Sequence, residues 1–268
     1  MIEGNSSNST GLRTANAQAG PPTNPIIVIP ARMASTRLPG KPLADICGEP
    51  MIVQVWRRAV EADIGPVVVA SGDPEIAAAI ERAGGRAIAT RPDHPSGSDR
   101  VHQAVSVADP AGRHDAVINL QGDLPLIAPA AVRAVFVELG AHDRPDMTTL
   151  AAEITDDAER TNPNVVKAVV SLAPGARSGP ALYFTRATAP SGDGPLYHHI
   201  GIYGYRRAAL DRFVVLPPSP LEVRERLEQL RALEAGMSIR VALVDTVPFG
   251  VDTPEDLERA RALIGAAQ

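Results

Sequence analysis

The sequence predicts an α/β protein whose core is a mostly parallel β-sheet. Three observations lead to this prediction: short runs of consecutive apolar residues, segments of helical length between those runs, and a hydrophobic content of 44% over 268 residues. Continuous apolar runs are typical of strands that are covered on both faces. Strands that alternate with helices form βαβ units, in which the strands are parallel. One α/β domain with a large core accounts for a chain of this length.

The first half of the chain shows this alternation most clearly. The predicted strands are residues 26–29, 67–70 and 116–120. The segments long enough for crossover helices are residues 51–62, 74–83, 98–108 and 130–139. Ligands of open α/β sheets bind beyond the carboxyl ends of the strands. We therefore expect the chemistry in the loops that follow residues 30 and 120.

The second half is predicted to be richer in strands. Strand-like segments cover residues 147–153, 165–171, 181–184 and 200–205 with few helices between them, so hairpins are expected. A helix at 221–234, a strand at 239–244 and a closing helix at 254–264 complete the pattern. Residues 1–24 are rich in Asn, Ser, Thr, Gly, Ala and Pro and are predicted to be a disordered tail. Residues 25–268 then form a single domain.

Composition restricts the class of protein. The net charge of −5 provides no basic field for nucleic acid or an anionic membrane surface. No apolar run approaches the ~20 residues that span a bilayer, and the N-terminus lacks the apolar stretch of a secretory signal. A single cysteine excludes a disulfide framework within the chain. These features predict a cytoplasmic protein whose partners are small molecules.

The loop after the first strand carries the strongest chemical signal. Arg32, Arg37 and Lys41 place three cations within ten positions, among small residues and prolines. Guanidinium forks, an ammonium group and free backbone N–H groups suit the oxygens of a triphosphate. Pro42 directly after Gly40-Lys41 excludes a Walker A motif, and the chain has no Gly-x-Gly-x-x-Gly of a dinucleotide-binding dehydrogenase. The alternative is a solvated basic loop.

Two carboxylates are candidate metal ligands. Asp123 follows the strand at 116–120, and one or two carboxylates suffice for a phosphate-bound Mg²⁺. Asp252 is the second candidate. Each has a structural alternative: Gly122-Asp123 is a common turn dipeptide, and Asp252 with Glu255 and Pro254 matches a helix capping box.

A further loop, residues 94–100, precedes a predicted helix. Ser98 is its predicted N-cap, and Arg100 together with backbone donors is suited to reading a pyrimidine. The alternative is a turn and a cap without a ligand.

Two polar faces in the second half are candidate binding surfaces. His199, Tyr203 and Tyr205 alternate along one strand and share a face. On the helix predicted at 221–234, three polar residues share a face opposite the Leu227 and Leu230 stripe; they are Glu222, Glu225 and Gln229. For the helix positions, solvated or core residues remain the alternative.

Seven motifs, in this order, resemble the CMP-KDO synthetase (3-deoxy-manno-octulosonate cytidylyltransferase) family over nearly the whole chain after Pro25. They are PARMASTRLPGKPL, DHPSGSDRV, NLQGDLP, ALYFTRA, HHIGIYGYR, SPLEVRERLEQLR and GVDTPEDLERAR. The resemblance implies a Rossmann-like sheet of the nucleotide-diphospho-sugar transferase type, with a β-rich acceptor and dimerisation region at about residues 147–206. It also implies a homodimeric, Mg²⁺-dependent enzyme that transfers CMP from CTP to a small acidic acceptor and releases pyrophosphate.

The same resemblance implies roles for individual residues. Those expected to bind CTP are Ala31, Arg32, Arg37, Lys41, Gly97, Arg100 and Gln121. Among them, Ala31, Gly97 and Arg100 would select cytosine. Those expected to line the acceptor pocket are Gln121, Arg186, His199, Tyr203, Glu225, Glu228 and Gln229. Asp123 and Asp252 would hold Mg²⁺, and the catalytic residues would be Arg32, Lys41 and Asp123.

The chain departs from the family pattern on the acceptor side. Leu124 stands where the family has Glu. The segment at residues 190–194 is shorter than the corresponding family segment and lacks its arginine. The expected acceptor is therefore either KDO or, equally, a small phosphonate or other small acid of a natural-product pathway. Two alternatives remain open for the activity itself: a catalytically silent nucleotide-binding protein of this fold, and a nucleotidyltransferase that uses another base.

Overall fold

The structure is a computed structural model that describes residues 20–266. Its strands are β1 Pro25–Pro30, β2 Asp45–Ile46, β3 Glu49–Pro50, β4 Val67–Ser71, β5 Arg86–Ala89, β6 Ala116–Asn119, β7 Met147–Glu153, β8 Lys167–Val170, β9 Ser178–Thr185, β10 Tyr197–Arg206 and β11 Ile239–Val244. Its helices are α1 Met51–Glu61, α2 Pro74–Arg82, α3 Gly97–Ala108, α4 Pro129–Glu138, α5 Asp157–Thr161, α6 Arg207–Val214, α7 Pro220–Glu225, α8 Leu230–Glu234 and α9 Pro254–Gly265. A 3₁₀ turn covers Lys41–Leu43.

The large sheet is mixed, not mostly parallel as predicted. Its strand order is β5-β4-β1-β6-β10-β7-β11-β9-β8. The first four strands in this order are parallel, as are β7 and β11, whereas β10 runs antiparallel to both β6 and β7. Strand β9 is antiparallel to β8 and β11. The prediction was wrong because apolar runs report burial on two faces, and an antiparallel strand inserted at the centre of a covered sheet is buried in the same way.

The first half of the chain confirms the predicted βαβ pattern. Residues 26–29 of β1 are at most 2% exposed, because helices cover both faces of the sheet. Val101 and Val105 of α3 pack on one face, and Ile52 of α1 and Val132 of α4 pack on the other. Strand β5 was missed because it lies at the sheet edge and buries only one of its four residues.

The second half confirms the predicted strands and one hairpin, β8–β9. The helix predicted at 221–234 is wrong, because α7 ends at Glu225 and Arg226 adopts a left-handed conformation with φ 56°. Leu230 begins a separate short helix. The predicted polar face with i, i+3, i+7 spacing does not exist, and Glu222 instead closes the Ser219 capping box.

Residues 20–24, which were predicted to belong to the disordered tail, are anchored to the rest of the domain. Residues 1–19 of the predicted tail lie outside the described residues. In residues 20–24, the backbone N–H groups of Thr23 and Asn24 donate to the Asp115 carboxylate over 2.8 and 2.9 Å. Arg206 donates to the Gly20 carbonyl over 3.1 Å. Within residues 20–266, the structure has no helix with the length and hydropathy to cross a membrane.

Candidate active site

A cavity of about 430 Å³ opens at the carboxyl ends of β1 and β6. Three loops and one turn line it: the loop after β1, the loop before α3, the loop after β6, and the turn before α9. Every residue that was predicted to bind CTP or metal lines this cavity; these are Ala31, Arg32, Arg37, Lys41, Gly97, Arg100, Gln121, Asp123 and Asp252. The fold thus brings together positions that are up to 221 residues apart in the chain, from Ala31 to Asp252.

An ion-pair cluster forms one wall of the cavity. The Lys41 ammonium group contacts Asp123 Oδ2 at 2.8 Å and Asp252 Oδ1 at 3.0 Å, while Arg37 contacts Asp252 Oδ2 at 2.9 Å. Burial alone would lower the pKa of Lys41, but the two carboxylates outweigh it and the pKa is raised. For Asp252, burial would raise the pKa, and Lys41 and Arg37 outweigh that effect and lower it. The cluster therefore holds an ammonium group and the Asp252 carboxylate in their charged forms near neutral pH.

Local structure explains why Asp252 faces the cavity. The predicted capping box at Asp252 and Glu255 is wrong, because Thr253 caps α9 and pairs with Asp256. The cap therefore leaves the Asp252 carboxylate available to Lys41. The Val251 N–H donates to the Asp123 carbonyl over 3.0 Å, which ties the turn before α9 to the loop after β6.

The loop before α3 holds Arg100 in place. Its guanidinium donates to Thr90 Oγ1 at 2.6 Å and to the Pro92 carbonyl at 3.2 Å, and the side chain is 4% exposed. The predicted N-cap at Ser98 is wrong, because Ser96 caps the helix by accepting from the Asp99 N–H. Ser98 lies within the first turn and points inward.

The inward Ser98 hydroxyl leads to a buried polar cluster, which we define as Ser98, Asn119, Tyr203, Glu228 and the residue that follows Glu228 in the chain, the buried Gln229. Ser98 Oγ donates to Glu228 Oε2 over 2.9 Å. Tyr203 pairs across the sheet with Asn119, and its pKa is raised by burial and by the nearby charges of Tyr205 and Glu228. Burial also raises the pKa of Glu228. The cluster lies beside the cavity, because Gly97, which precedes Ser98, and Gln121, which is two residues after Asn119, line the cavity.

Three buried polar atoms of this cluster have no hydrogen-bond partner: Asn119 Oδ1, Glu228 Oε1 and Gln229 Nε2. An unsatisfied buried polar group costs roughly 1–3 kcal/mol. Such groups are uncommon in folded proteins unless a ligand or water serves them. The cluster therefore has unused capacity to accept and donate hydrogen bonds.

His199 continues this face away from the cavity. An aromatic row connects it to its neighbours, with ring centroids 5.7 Å apart for His199 and Tyr203 and 6.2 Å apart for Tyr203 and Tyr205. The shared face predicted for these three residues is confirmed. Burial, with a smaller contribution from His198, lowers the pKa of His199 to about 3, so its ring is neutral near pH 7.

Arg186 and Glu225 are brought together in a separate group. Glu225 accepts from Thr185 Oγ1 over 2.8 Å and from the Arg186 N–H over 3.0 Å. Arg186 donates from its guanidinium to the Glu225 carbonyl over 2.9 Å and to the Pro163 carbonyl over 3.1 Å. Neither lines the cavity. Their role in acceptor binding stays a prediction.

Two residues of the site, His94 and Asn119, were not predicted from the sequence. His94 lines the cavity and lies in the loop whose predicted residues were Gly97, Ser98 and Arg100. Asn119 is 2% exposed in an otherwise apolar strand. A polar residue that interrupts a buried strand just before Gln121 was the available signal for Asn119.

The acidic side chains of the cavity are the candidate ligands for a divalent cation. Over residues 20–266, no group of three or more His, Cys, Asp or Glu side chains is arranged to hold a metal ion. Asp123 and Asp252 provide two carboxylates held by one ammonium group. Two carboxylates fit a cation that takes its remaining ligands from water and phosphate oxygens.

The parallel strands, the basic loop and the paired carboxylates at the sheet edge define a nucleotidyltransferase. Residues 26–239 match the family model described as cytidylyltransferase. A nucleotidyl transferase from Methanothermobacter, 14% identical with a TM-score of 0.57 over 91% of this chain and 99% of that chain, shares the fold. The chain belongs to the 3-deoxy-manno-octulosonate cytidylyltransferase, or CMP-KDO synthetase, family.

Two relatives and one structure support this assignment. The 3-deoxy-manno-octulosonate cytidylyltransferase of Rhodospirillum centenum is 70% identical over 91% of this chain and 94% of its own. That of Parvibaculum lavamentivorans is 68% identical over 90% and 93%. The structure of CMP:2-keto-3-deoxy-manno-octonic acid synthetase complexed with CTP has a TM-score of 0.84 and 40% identity, over 91% of this chain and all of that chain. The prediction of a CTP-dependent nucleotidyltransferase is confirmed.

Proposed function

We propose that this enzyme transfers CMP from CTP to KDO and releases pyrophosphate. The observation that carries the proposal is the juxtaposition of two sites. A cationic cavity with paired carboxylates lies directly beside a buried polar cluster with unused hydrogen-bonding capacity. The first suits a nucleoside triphosphate and the second suits a polyhydroxylated acid. Relatives that are 68–70% identical carry the name of the KDO enzyme.

Different cavity residues would bind different parts of CTP. Arg32, Arg37 and Lys41 would bind the triphosphate, because charge-assisted hydrogen bonds to phosphate oxygens are strong. Ala31, Gly97 and Arg100 would bind the cytosine, and Gln121 would lie between the two substrates. Lys41 is less exposed than Arg37, with 15% against 65% of the side chain accessible, so its charge is less screened. Lys41 and Arg32 are our candidates for stabilising charge on the reacting phosphates.

Asp123 and Asp252 would hold a divalent cation, for which we propose Mg²⁺. When bound, the cation would neutralise phosphate charge and help to orient the triphosphate. The Lys41 ammonium group now lies between the two carboxylates. We expect it to turn toward phosphate oxygens when CTP and the cation are bound.

The buried polar cluster would bind the acceptor together with His199 and Arg186. Glu228 and Asn119 offer oxygen acceptors, and Gln229 offers an N–H donor. Hydroxyl groups of a sugar acid can serve all three. The neutral ring of His199 and the tyrosine rings would provide the apolar part of this surface. Glu225 would act mainly by holding Arg186.

The reaction is an in-line displacement. A bond forms between an acceptor hydroxyl oxygen and the α-phosphorus, the bond from that phosphorus to the pyrophosphate oxygen breaks, and the hydroxyl proton is released. Positioning and electrostatic stabilisation account for most catalysis of this kind. The chain needs no covalent enzyme intermediate.

The proposal also includes the oligomeric state, the location, the domain organisation and the acceptor. We propose a homodimer in the cytoplasm, with residues 25–268 as one domain and the region near residues 147–206 serving acceptor binding and dimerisation. A phosphonate acceptor is the less favoured alternative, because relatives that are 68–70% identical carry the name of the KDO enzyme. Leu124 lies against Gly250 and does not line the cavity.

Pyrophosphate release tests the function. The enzyme is incubated with CTP and Mg²⁺ and with KDO, a small phosphonate or another sugar acid in separate reactions. We expect release with KDO only, and loss of release with excess EDTA. Release with the phosphonate and not with KDO would overturn the acceptor and retain the transfer reaction. Faster release with UTP or GTP would overturn the nucleotide.

A further inference from the structure

His94 holds a place in the cavity that the assigned roles do not use. The residue lines the cavity with Ala31, Gly97 and Arg100. Its Nε2 atom lies 2.5 Å from Gln103 Oε1, on the second turn of α3. His94 is partly buried and belongs to the same loop whose Pro92 carbonyl holds Arg100.

A third group determines which ring nitrogen carries the proton. Gln103 Oε1 also accepts a hydrogen bond from the backbone N–H of Arg91, at 2.9 Å. A backbone N–H can only donate, so the Gln103 atom at this position must be the carbonyl oxygen and not the amide nitrogen. An oxygen acceptor requires His94 Nε2 to be a donor. In the neutral ring, Nδ1 then carries the lone pair.

Nδ1 is therefore the acceptor that the ring can offer to a ligand. Among the described residues, His94 has Gln103 as its hydrogen-bond partner, through Nε2, and Nδ1 has none. Arg100 presents the opposite chemistry, because a guanidinium has five donors and only two of its nitrogens are engaged, with Thr90 and Pro92. One loop thus offers the cavity both an acceptor and donors.

We propose that His94 selects cytosine over uracil by accepting a hydrogen bond at Nδ1 from the 4-amino group of the base. Cytosine presents an amino donor at this position, whereas uracil presents a carbonyl acceptor. The lone pair of Nδ1 attracts the first and repels the second, while Arg100 suits the remaining acceptors of either base. The inference rests on CTP binding in this cavity, as proposed above.

Sites built to hydrogen-bond a polar group discriminate strongly against an analogue that lacks it. The cost of one lost hydrogen bond in a partly buried site corresponds to a factor of about 10–100. We therefore expect His94→Phe to lower the ratio of kcat/KM for CTP to that for UTP by at least ~10-fold. The loss should fall on CTP, with activity on UTP unchanged or raised.

The test compares three proteins with both nucleotides. His94→Phe removes Nδ1 and keeps a planar ring. His102→Phe is the matched control, because His102 lies on α3 next to Gln103, pairs with Asp211 and does not line the cavity. Dissociation constants for CTP and UTP are measured by calorimetry for each protein, and pyrophosphate release is measured with KDO.

The outcomes separate this inference from the proposed function. An unchanged CTP-to-UTP ratio in His94→Phe, or an equal loss for both nucleotides, would overturn it, as would the same change in His102→Phe. If the wild-type enzyme does not use KDO, the proposed function fails, while the two dissociation constants still test base selection. A thermal unfolding curve for each variant checks that it is folded.

Discussion

The cavity and the neighbouring buried polar cluster differ in whether their polar groups are paired with one another. In the cavity, Lys41 pairs with Asp123 and Asp252, so charged groups satisfy one another before any ligand binds. In the cluster, Asn119 and Glu228 retain buried oxygens without a partner. The charged site is thus assembled by its own ion pairs. The buried polar cluster is held by the surrounding fold and depends on a ligand or water to complete its hydrogen bonds.

This difference implies that substitutions on the two sides should affect different kinetic constants. Removing a charge from the cavity should disturb the groups that act on the phosphates and so lower kcat. Removing a group from the cluster should weaken acceptor binding and leave CTP binding nearly intact. The predictions that follow test this contrast.

The largest effect is expected for Asp123→Ala. It removes one proposed metal ligand and one of two carboxylates that position Lys41. We expect kcat/KM for pyrophosphate release to fall by a factor of about 10³ or more, with the fold intact. Near-normal, EDTA-sensitive activity would remove Asp123 as a metal ligand. Asp245→Ala is a suitable control, because this exposed residue pairs with Arg177 at the surface and lies outside the cavity.

Lys41→Met should lower activity less than Asp123→Ala does, and it tests the contribution of the positive charge alone. Methionine keeps much of the side-chain length and removes the ammonium group. We expect a loss of about 10²-fold, mainly in kcat, because a preorganised cation contributes more in the transition state than in substrate binding. Arg57→Met is the control, since that side chain pairs with Glu49 at the surface. A higher KM for CTP with an unchanged kcat would show that Lys41 only binds substrate.

Glu228→Gln should separate the two sides of the site. The substitution keeps the shape and removes one acceptor oxygen from the buried polar cluster. We expect the KM for KDO to rise about 10-fold, corresponding to one strong hydrogen bond, and the dissociation constant for CTP to stay within about twofold. A parallel loss of CTP affinity would instead show that the Ser98 contact transmits the change to the loop before α3.

The remaining effect concerns stability and pH and leaves the activity measurements aside. The pKa of His199 is lowered to about 3 in the folded protein, so folding releases a proton from this residue between about pH 3 and its ordinary value near 6.5. Stability should therefore be unaffected by His199 above pH 6.5 and should fall as pH decreases, by up to about 1.4 kcal/mol per pH unit. Urea unfolding at pH 7.0, 6.0 and 5.0 measures this.

His199→Phe provides the comparison for that titration. Phenylalanine keeps an aromatic ring beside Phe184 and Tyr203 and cannot be protonated in this range. Its stability should decline less steeply than that of the wild type below pH 6.5. Parallel curves for the two proteins would mean that another group accounts for the acid sensitivity.

The accuracy of the sequence predictions also differed between regions. Strand and helix bounds in the first half were within a few residues, because buried strands and amphipathic helices alternate there with clear turns between them. The helix predicted at 221–234 failed at Arg226, whose left-handed backbone no hydrophobic period reveals. Both predicted caps were misplaced, since Ser96 and Thr253 each compete with a neighbouring residue that is chemically able to cap.

The sequence by itself determined the α/β class, the loops that carry the cations and carboxylates, and, through its motifs, the cytidylyltransferase family. These features are local: strand burial follows from runs of apolar residues, and a loop of Arg32, Arg37 and Lys41 is cationic in any fold. Only the tertiary structure decided that β10 runs antiparallel through the sheet and that Glu228 meets Ser98. It also decided the donor role of His94 Nε2, because that depends on Gln103 and Arg91 meeting in space. Contacts between distant segments depend on how the chain is packed, and residue order alone does not specify them.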